Sequence, residues 1–189
     1  MTDRDCRANR GALRARLIAA REAVDQSAFE KNSAAIEGHV RRLLAIKAPR
    51  LLGFYWPHRR ECNLVTVAAD FVARGGTAAL PVVTGKDQAL EFRRWWPGMT
   101  MAVGVYGIPY PASGEPVFPD LMLVPMVGFD HAGYRLGYGG GFYDRTLAVA
   151  SPRPSAIGIA FELGRLDTIG PLPHDIPMDA IITEAGVNS

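Results

Sequence analysis

The residues best suited to chemistry in this 189-residue chain lie between Leu121 and Arg145, in LMLVPMVGFDHAGYRLGYGGGFYDR. Gly137, Gly139, Gly140 and Gly141 offer backbone with no Cβ to block a close phosphate. Asp144 follows directly. A carboxylate beside a phosphate cradle suits Mg²⁺, which takes one or two protein carboxylates together with phosphate oxygens and water. Arg135 and Arg145 bracket the loop, and each presents a planar fork of donors to phosphate. The apolar run before the glycines reads as a strand buried on both faces, and the stretch after them as a helix. That layout places the glycines where strand carboxyl ends meet a helix amino end, with its unpaired N–H groups and partial positive charge. The general patterns stop short, however. There is no GxxxxGK[ST], and the dinucleotide fingerprint lacks its last glycine. Spacing alone therefore leaves two readings open: a phosphate cradle, or a plain glycine-rich turn with Asp144 as an acid favoured in the first helical turn.

The string FDHAGYRLGYGGGFYDRTL, Phe129 to Leu147, closely resembles the signature of the 5-formyltetrahydrofolate cyclo-ligase (methenyltetrahydrofolate synthetase) family. The likeness extends, in the family's order, to GVYGIPYP (104–111), PDLMLVP (119–125) and PHDIPMDAIIT (173–183), and so covers most of the chain. It implies ATP- and Mg²⁺-dependent conversion of 5-formyltetrahydrofolate to 5,10-methenyltetrahydrofolate, with release of ADP and phosphate. In that chemistry the formyl oxygen attacks the γ-phosphate, N10 attacks the activated formyl carbon, and phosphate departs.

Residue by residue, the resemblance implies ATP contacts at Arg10, Arg14, Arg135, Leu136, Gly137, Tyr138, Gly139, Gly140, Gly141, Phe142 and Tyr143. It implies Mg²⁺ at Asp144, with Asp175 near the metal directly or through water. The folate is expected against Trp56, Glu61 and the loop Tyr138 to Phe142, and Glu61, Arg135 and Tyr143 are the implied catalytic groups. Three departures qualify this. Arg10 stands where the family's early K-x-x-L-R motif has lysine, Tyr110 where many members have an acid or amide, and Glu162-Leu163-Gly164 where a glutamine is usual. They keep a second reading open, a diverged member that binds nucleotide or folate without cyclo-ligation. A third class, a sugar-phosphate or CoA-linked enzyme on the same scaffold, requires the long signature to be coincidental.

The elements that must position these groups alternate between helix and strand. Leu13, Leu17, Ala20 and Val24 recur at helical spacing, with Arg10, Arg14 and Arg21 on the polar remainder. A second helix, capped by Asp25 or Ser27, runs to about Ala48 with a stripe of Phe29, Ile36, Val40, Leu43 and Leu44. Strands are expected at Leu51 to Trp56, Thr77 to Val83, Leu90 to Trp96 and Ser155 to Phe161, and helices at Leu64 to Arg74 and Phe142 to Ala150. The strand at Leu90 offers Arg93, Arg94 and Trp95 as ligand contacts, or simply a charged outer face. The stretch Pro97 to Pro119, rich in proline and glycine, reads as a long loop able to cover a site. The expected fold is α/β: a single-domain three-layer αβα sandwich over residues 1–189, with a mostly parallel or mixed central sheet.

A hydrophobic content of 48% is enough for one sizeable core. The net charge of +2 gives no case for nucleic acid, although residues 1–21 carry six Arg against two Asp. No early apolar run is long enough for a signal peptide or membrane span, so a cytoplasmic protein is expected. A monomer is expected, with an oligomer left open. Cys6 and Cys62 form no CxxC pair and are expected as reduced thiols.

Overall fold

Leu121 to Pro125 is the centre of the sheet, and it is apolar on both faces for a visible reason. Leu121 and Leu123 point into one core, Met122 and Val124 into another, and helices cover both sides. The computed structural model describes residues 3–188, with side chains over 9–188. The thiol of Cys6 lies outside the described side chains. Cys62 is buried and free, and burial pushes its thiol up to about 12, which keeps it protonated.

In chain order, α1 (Asp3–Glu22) and α2 (Gln26–Lys47) precede β1 (Leu51–Gly53), α3 (Val65–Ala73), β2 (Thr77–Val82) and β3 (Glu91–Trp95). Three short strands follow: β4 (Met101–Val103), β5 (Pro109–Pro111) and β6 (Pro116–Val117). Then come β7 (Leu121–Pro125), β8 (Gly128–Asp130), β9 (Arg135–Leu136), α4 (Phe142–Val149) and β10 (Ser155–Ile159). A 3₁₀ turn (Glu162–Gly164), β11 (Arg165–Leu166), β12 (Ala180–Thr183) and β13 (Gly186–Asn188) complete the chain.

The main sheet has eight strands in the order β13-β12-β10-β7-β1-β2-β3-β6. Its inner strands, β12 through β2, are parallel, and the flanking strands at both sides are antiparallel. Helices α2 and α3 pack on one face through Ile36, Val40, Leu44, Val67 and Phe71, whereas Leu147 of α4 belongs to the core on the other. These are the three layers of an α/β sandwich. A small sheet, β11-β8-β9, carries the chain from β7 to the glycine loop, and α1 lies over it through Leu17 and Ile18.

Local rules account for the helix ends. The Asp25 side chain caps α2 by accepting from Ala28 N, and Ala48 closes that helix in a left-handed conformation, φ 44°. In α1 the expected face is displaced. Ala20 is exposed and Val24 falls beyond the helix, whereas Ile18 and Arg21 are buried. The covered stripe runs on through Arg14 and Arg10, because this side of α1 meets carbonyls and carboxylates that accept arginine forks rather than an all-apolar surface. Two further expectations change. Pro97 to Pro119 is not a bare loop, since β4 and β5 pair within it as a hairpin and β6 adds an edge strand. Trp95 is no ligand contact: it is buried with its ring 5.0 Å from that of Phe54, while Arg93 pairs with Glu91.

Candidate functional site

The strand order reverses between β1 and β7. From β1 the chain moves outward to β2; from β7 it moves the other way, to β10 and β12. Such a switch point leaves a crevice beyond the strand carboxyl ends. A cleft of about 860 Å³ occupies it, reached by Trp56 after β1, Pro125 of β7, the glycine loop, Arg10 and Arg14 of α1, and Tyr110 of the β4–β5 hairpin.

One wall is basic and glycine-rich. Gly139 and Gly141 adopt φ of 98° and 64°, conformations that L side chains rarely enter. Arg14 Nε donates to the Gly137 carbonyl at 2.6 Å, and a Cβ at Gly139 would stand 3.3 Å from Arg14 Nη2. Arg14 has no carboxylate within ion-pair distance among the described residues. Burial, then the neighbouring Arg10 charge, push its guanidinium down. Arg145 straps the loop from outside, donating to the Gly140 carbonyl at 2.5 Å with its guanidinium 5.2 Å from the Phe142 ring centroid. Helix α4 starts here with no side-chain cap, so its first N–H groups face the loop.

Two acidic groups lie behind this wall. Asp144 Oδ1 is 2.6 Å from Arg135 Nη2 and accepts from Ile176 N at 3.0 Å, while Arg135 Nη1 donates to the Ile176 carbonyl at 2.7 Å. The Arg135–Asp144 contact is an ion pair without hydrogen-bond alignment at Nη2. Asp175 is held by Arg10 on both oxygens, at 2.8 and 3.4 Å, and also accepts from Leu172 N at 2.7 Å. The residue after Asp175 is thus bound to Asp144, so the fold brings the two carboxylates together. No cluster of three or more metal-ligating side chains occurs among the described residues. A Mg²⁺ ion completed by phosphate and water needs only one or two carboxylates, and Asp144 Oδ2, which accepts from no described group, fits that requirement.

A second wall, joined to the glycine loop through Tyr138, is acidic and aromatic. Arg59 and Arg60, at φ 48° and 56°, bend the chain after β1 so that Glu61 turns inward, where it is 5% exposed. Its Oε1 accepts from the Tyr138 hydroxyl at 2.8 Å and its Oε2 from His58 N at 2.9 Å. Burial pushes Glu61 up, opposed by the Tyr138 hydrogen bond and the Arg21 charge. Tyr143 is also pushed up by burial, then by the Glu61 charge, and stays a neutral phenol. Trp56 flanks this wall.

Of the residues expected from sequence, Arg10, Arg14, Trp56, Glu61, Arg135, Gly137 to Asp144 and Asp175 all reach the cleft. Leu136 does not: it is fully buried in the small core under α1. Among the departures, Tyr110 lines the cleft, whereas Gly164 lies outside it, where a Cβ would stand 2.9 Å from the Val127 carbonyl. Sequence reasoning did not single out Tyr55 or His58, which line the cleft, or Arg21, which lies behind it, 4% exposed and bonded to the Tyr138 hydroxyl at 2.6 Å. The signal for Arg21 was its place three or four residues beyond Leu17 and Ile18.

Fold and cleft define the class: an α/β protein with its ligand cleft at a topological switch point, basic and glycine-rich on one wall, acidic and aromatic on the other. The model of the 5-formyltetrahydrofolate cyclo-ligase family matches residues 6–184, and the chain belongs to that family. It is 28% identical over 186 residues to the 5-formyltetrahydrofolate cyclo-ligase of Mycolicibacterium smegmatis, covering 93% of each chain. The NMR structure of Aquifex aeolicus 5,10-methenyltetrahydrofolate synthetase superposes with a TM-score of 0.82 at 27% identity, over 95% of this chain and 91% of that one. The 5,10-methenyltetrahydrofolate synthetase of Mycoplasma pneumoniae shares the fold, with a TM-score of 0.77 at 23% identity, over 93% and 98% of the two chains.

Proposed function

We propose that this chain is a 5-formyltetrahydrofolate cyclo-ligase, which uses ATP to close the N5-formyl group onto N10 and releases 5,10-methenyltetrahydrofolate, ADP and phosphate. The observation that carries the reading is the meeting, in one cleft of about 860 Å³, of a glycine loop under Arg14, which pairs with no carboxylate among the described residues, and the buried Glu61 bonded to the Tyr138 hydroxyl. The first suits a triphosphate; the second suits the polar ring of a folate.

A formamide is a poor electrophile because its nitrogen lone pair is delocalised into the carbonyl, and its oxygen is a poor leaving group as hydroxide. Transfer of the γ-phosphoryl group to that oxygen corrects both, and N10 then adds to the carbon as phosphate leaves. Phosphoryl transfer asks the protein for alignment and charge neutralisation, with no protein nucleophile. Arg14, the amides of Gly137 to Gly141 and the first turn of α4 bind the phosphates, with Arg10 and Arg135 adding positive charge behind them. Mg²⁺ supplies charge neutralisation at the phosphates. Asp144 would hold it through Oδ2, with Asp175 acting through water because Arg10 occupies both of its oxygens. Glu61 orients the folate ring, Trp56 and Phe142 enclose it, and Tyr143 donates to the ATP side as a neutral phenol.

The chain acts as one domain over residues 1–189, as a cytoplasmic monomer without nucleic-acid or membrane partners. One continuous eight-stranded sheet supports the single domain, and among the described residues no helix is long and apolar enough to cross a membrane. The test is near-ultraviolet absorbance with 5-formyltetrahydrofolate, Mg²⁺ and ATP, because the product's conjugated amidinium absorbs where the substrate does not. An ATP-dependent rise matched by phosphate release is expected. Nucleotide binding without any rise would identify the diverged, non-ligating member instead.

A further inference from the structure

Arg21 is a buried cation that the chemistry above does not use. It sits in the last turn of α1, where a basic residue ordinarily offsets the helix dipole from the surface. Here it points inward and donates three ways: Nε to the Arg59 carbonyl at 3.0 Å, Nη1 to the Met126 carbonyl at 3.4 Å, and Nη2 to the Tyr138 hydroxyl at 2.6 Å. Those partners belong to the chain after β1, the chain after β7 and the glycine loop, so one guanidinium ties both sides of the switch point to the loop. With Arg21 donating to its oxygen, the Tyr138 hydroxyl is free to spend its proton on Glu61 Oε1 at 2.8 Å. Donors in series polarise one another, and the Arg21 and Glu61 ends of this chain are buried, at 4% and 5% exposed.

We propose that Arg21 is a positioning residue: acting through the Tyr138 hydroxyl, it holds the Glu61 carboxylate in the orientation that meets the folate. This rests on the cyclo-ligase reading. The groups facing Glu61 are Arg21 from α1, Tyr138 from the glycine loop, Tyr143 from α4, and Tyr55 and His58 from its own segment. Only Arg21 among them carries a fixed positive charge, so its loss favours the protonated carboxyl.

The test compares Arg21→Gln, Arg21→Lys, Tyr138→Phe and the Gln/Phe double variant with wild type, by kinetics across pH and by calorimetric folate binding without ATP. Arg21→Gln is expected to raise KM for 5-formyltetrahydrofolate about tenfold while moving KM for ATP less than about twofold. The acid limb of its kcat/KM profile moves to higher pH, and Arg21→Lys restores part of both effects. Tyr138→Phe shows the same folate-specific loss, and the double variant is no worse than the more impaired single variant. Additive losses, equal changes in both KM values, or an unmoved pH profile overturn the proposal. Should Arg21→Gln fail to fold, Tyr138→Phe decides through its folate KM and pH profile. A wild type that binds folate without ATP-dependent turnover contradicts the cyclo-ligase reading alone, and the variants' folate affinities then decide the positioning claim. A wild type that binds no folate overturns both.

Discussion

Asp144 and Glu61 carry the sharpest residue-scale expectations because each combines burial with charge. Asp144→Asn removes the proposed metal ligand and leaves the buried Arg135 facing a neutral amide. Turnover at saturating Mg²⁺ should fall about a hundredfold. Chemical denaturation should show a loss of about 3 kcal/mol from the unpaired cation. Full Mg²⁺-dependent turnover in Asp144→Asn would remove Asp144 from the metal site. Glu61 gives the opposite sign for stability. Its folded value is raised above its unfolded one, chiefly by burial, so its contribution to stability is present at low pH and is lost as pH rises through the folded value. Glu61→Gln should therefore melt above wild type at pH 8, with the gap closing as pH falls below the ordinary carboxylate range. The same variant should raise the folate KM. The expectation for Asp144 came from its place beside the glycine cluster, whereas that for Glu61 came only from resemblance, since an isolated glutamate in a charged loop carries no signal of burial. Arg21 escaped even that, because its apolar neighbours Leu17 and Ile18 mark a helix face without saying that two backbone carbonyls and the Tyr138 hydroxyl await a cation on it.

Helix α1 is the element on which the basic wall depends, and it is attached chiefly by Leu17 and Ile18 against Val127, Leu136 and Ile169. Leu17→Ala should cost about 2–5 kcal/mol. If α1 positions Arg10 and Arg14 for phosphate, that variant should raise KM for ATP well beyond an equally destabilising Leu44→Ala in α2, whose side chain lies in the core away from the cleft. Equal ATP affinity in the two would mean that α1 contributes stability and not alignment. Gly164 illustrates the reverse case. By resemblance it marked a missing glutamine, yet it packs 2.9 Å, measured from a virtual Cβ, against the Val127 carbonyl. Gly164→Ala should cost about 1–3 kcal/mol, read by thermal unfolding, with KM values unchanged. Strand β7 and the capped start of α2 were legible because unbroken apolar runs and an Asp cap act locally. The β4–β5 hairpin was not, since its pairing depends on tertiary contacts that override a proline-rich composition.

At the scale of the whole molecule, the sheet order explains why chemistry spread from Arg10 to Asp175 converges. Parallel strands running both ways from the β1–β7 boundary send their carboxyl ends, and the loops that follow, to one edge. Alternation of helix and strand made the α/β class legible, but strand order depends on long-range pairing that no local pattern encodes. The resulting cleft sets side by side two walls joined through Tyr138 and Glu61, proposed above for a triphosphate and for a folate, and the proposed reaction carries a single oxygen from one to the other. That oxygen is the most direct test. Turnover with 5-formyltetrahydrofolate carrying ¹⁸O in the formyl group, followed by mass analysis of the inorganic phosphate, reports its fate. Label in the released phosphate is predicted, because the formyl oxygen takes the γ-phosphoryl group and leaves with it. Unlabelled phosphate accompanying methenyl product would contradict the phosphorylated-formyl route and the alignment of the two walls built upon it.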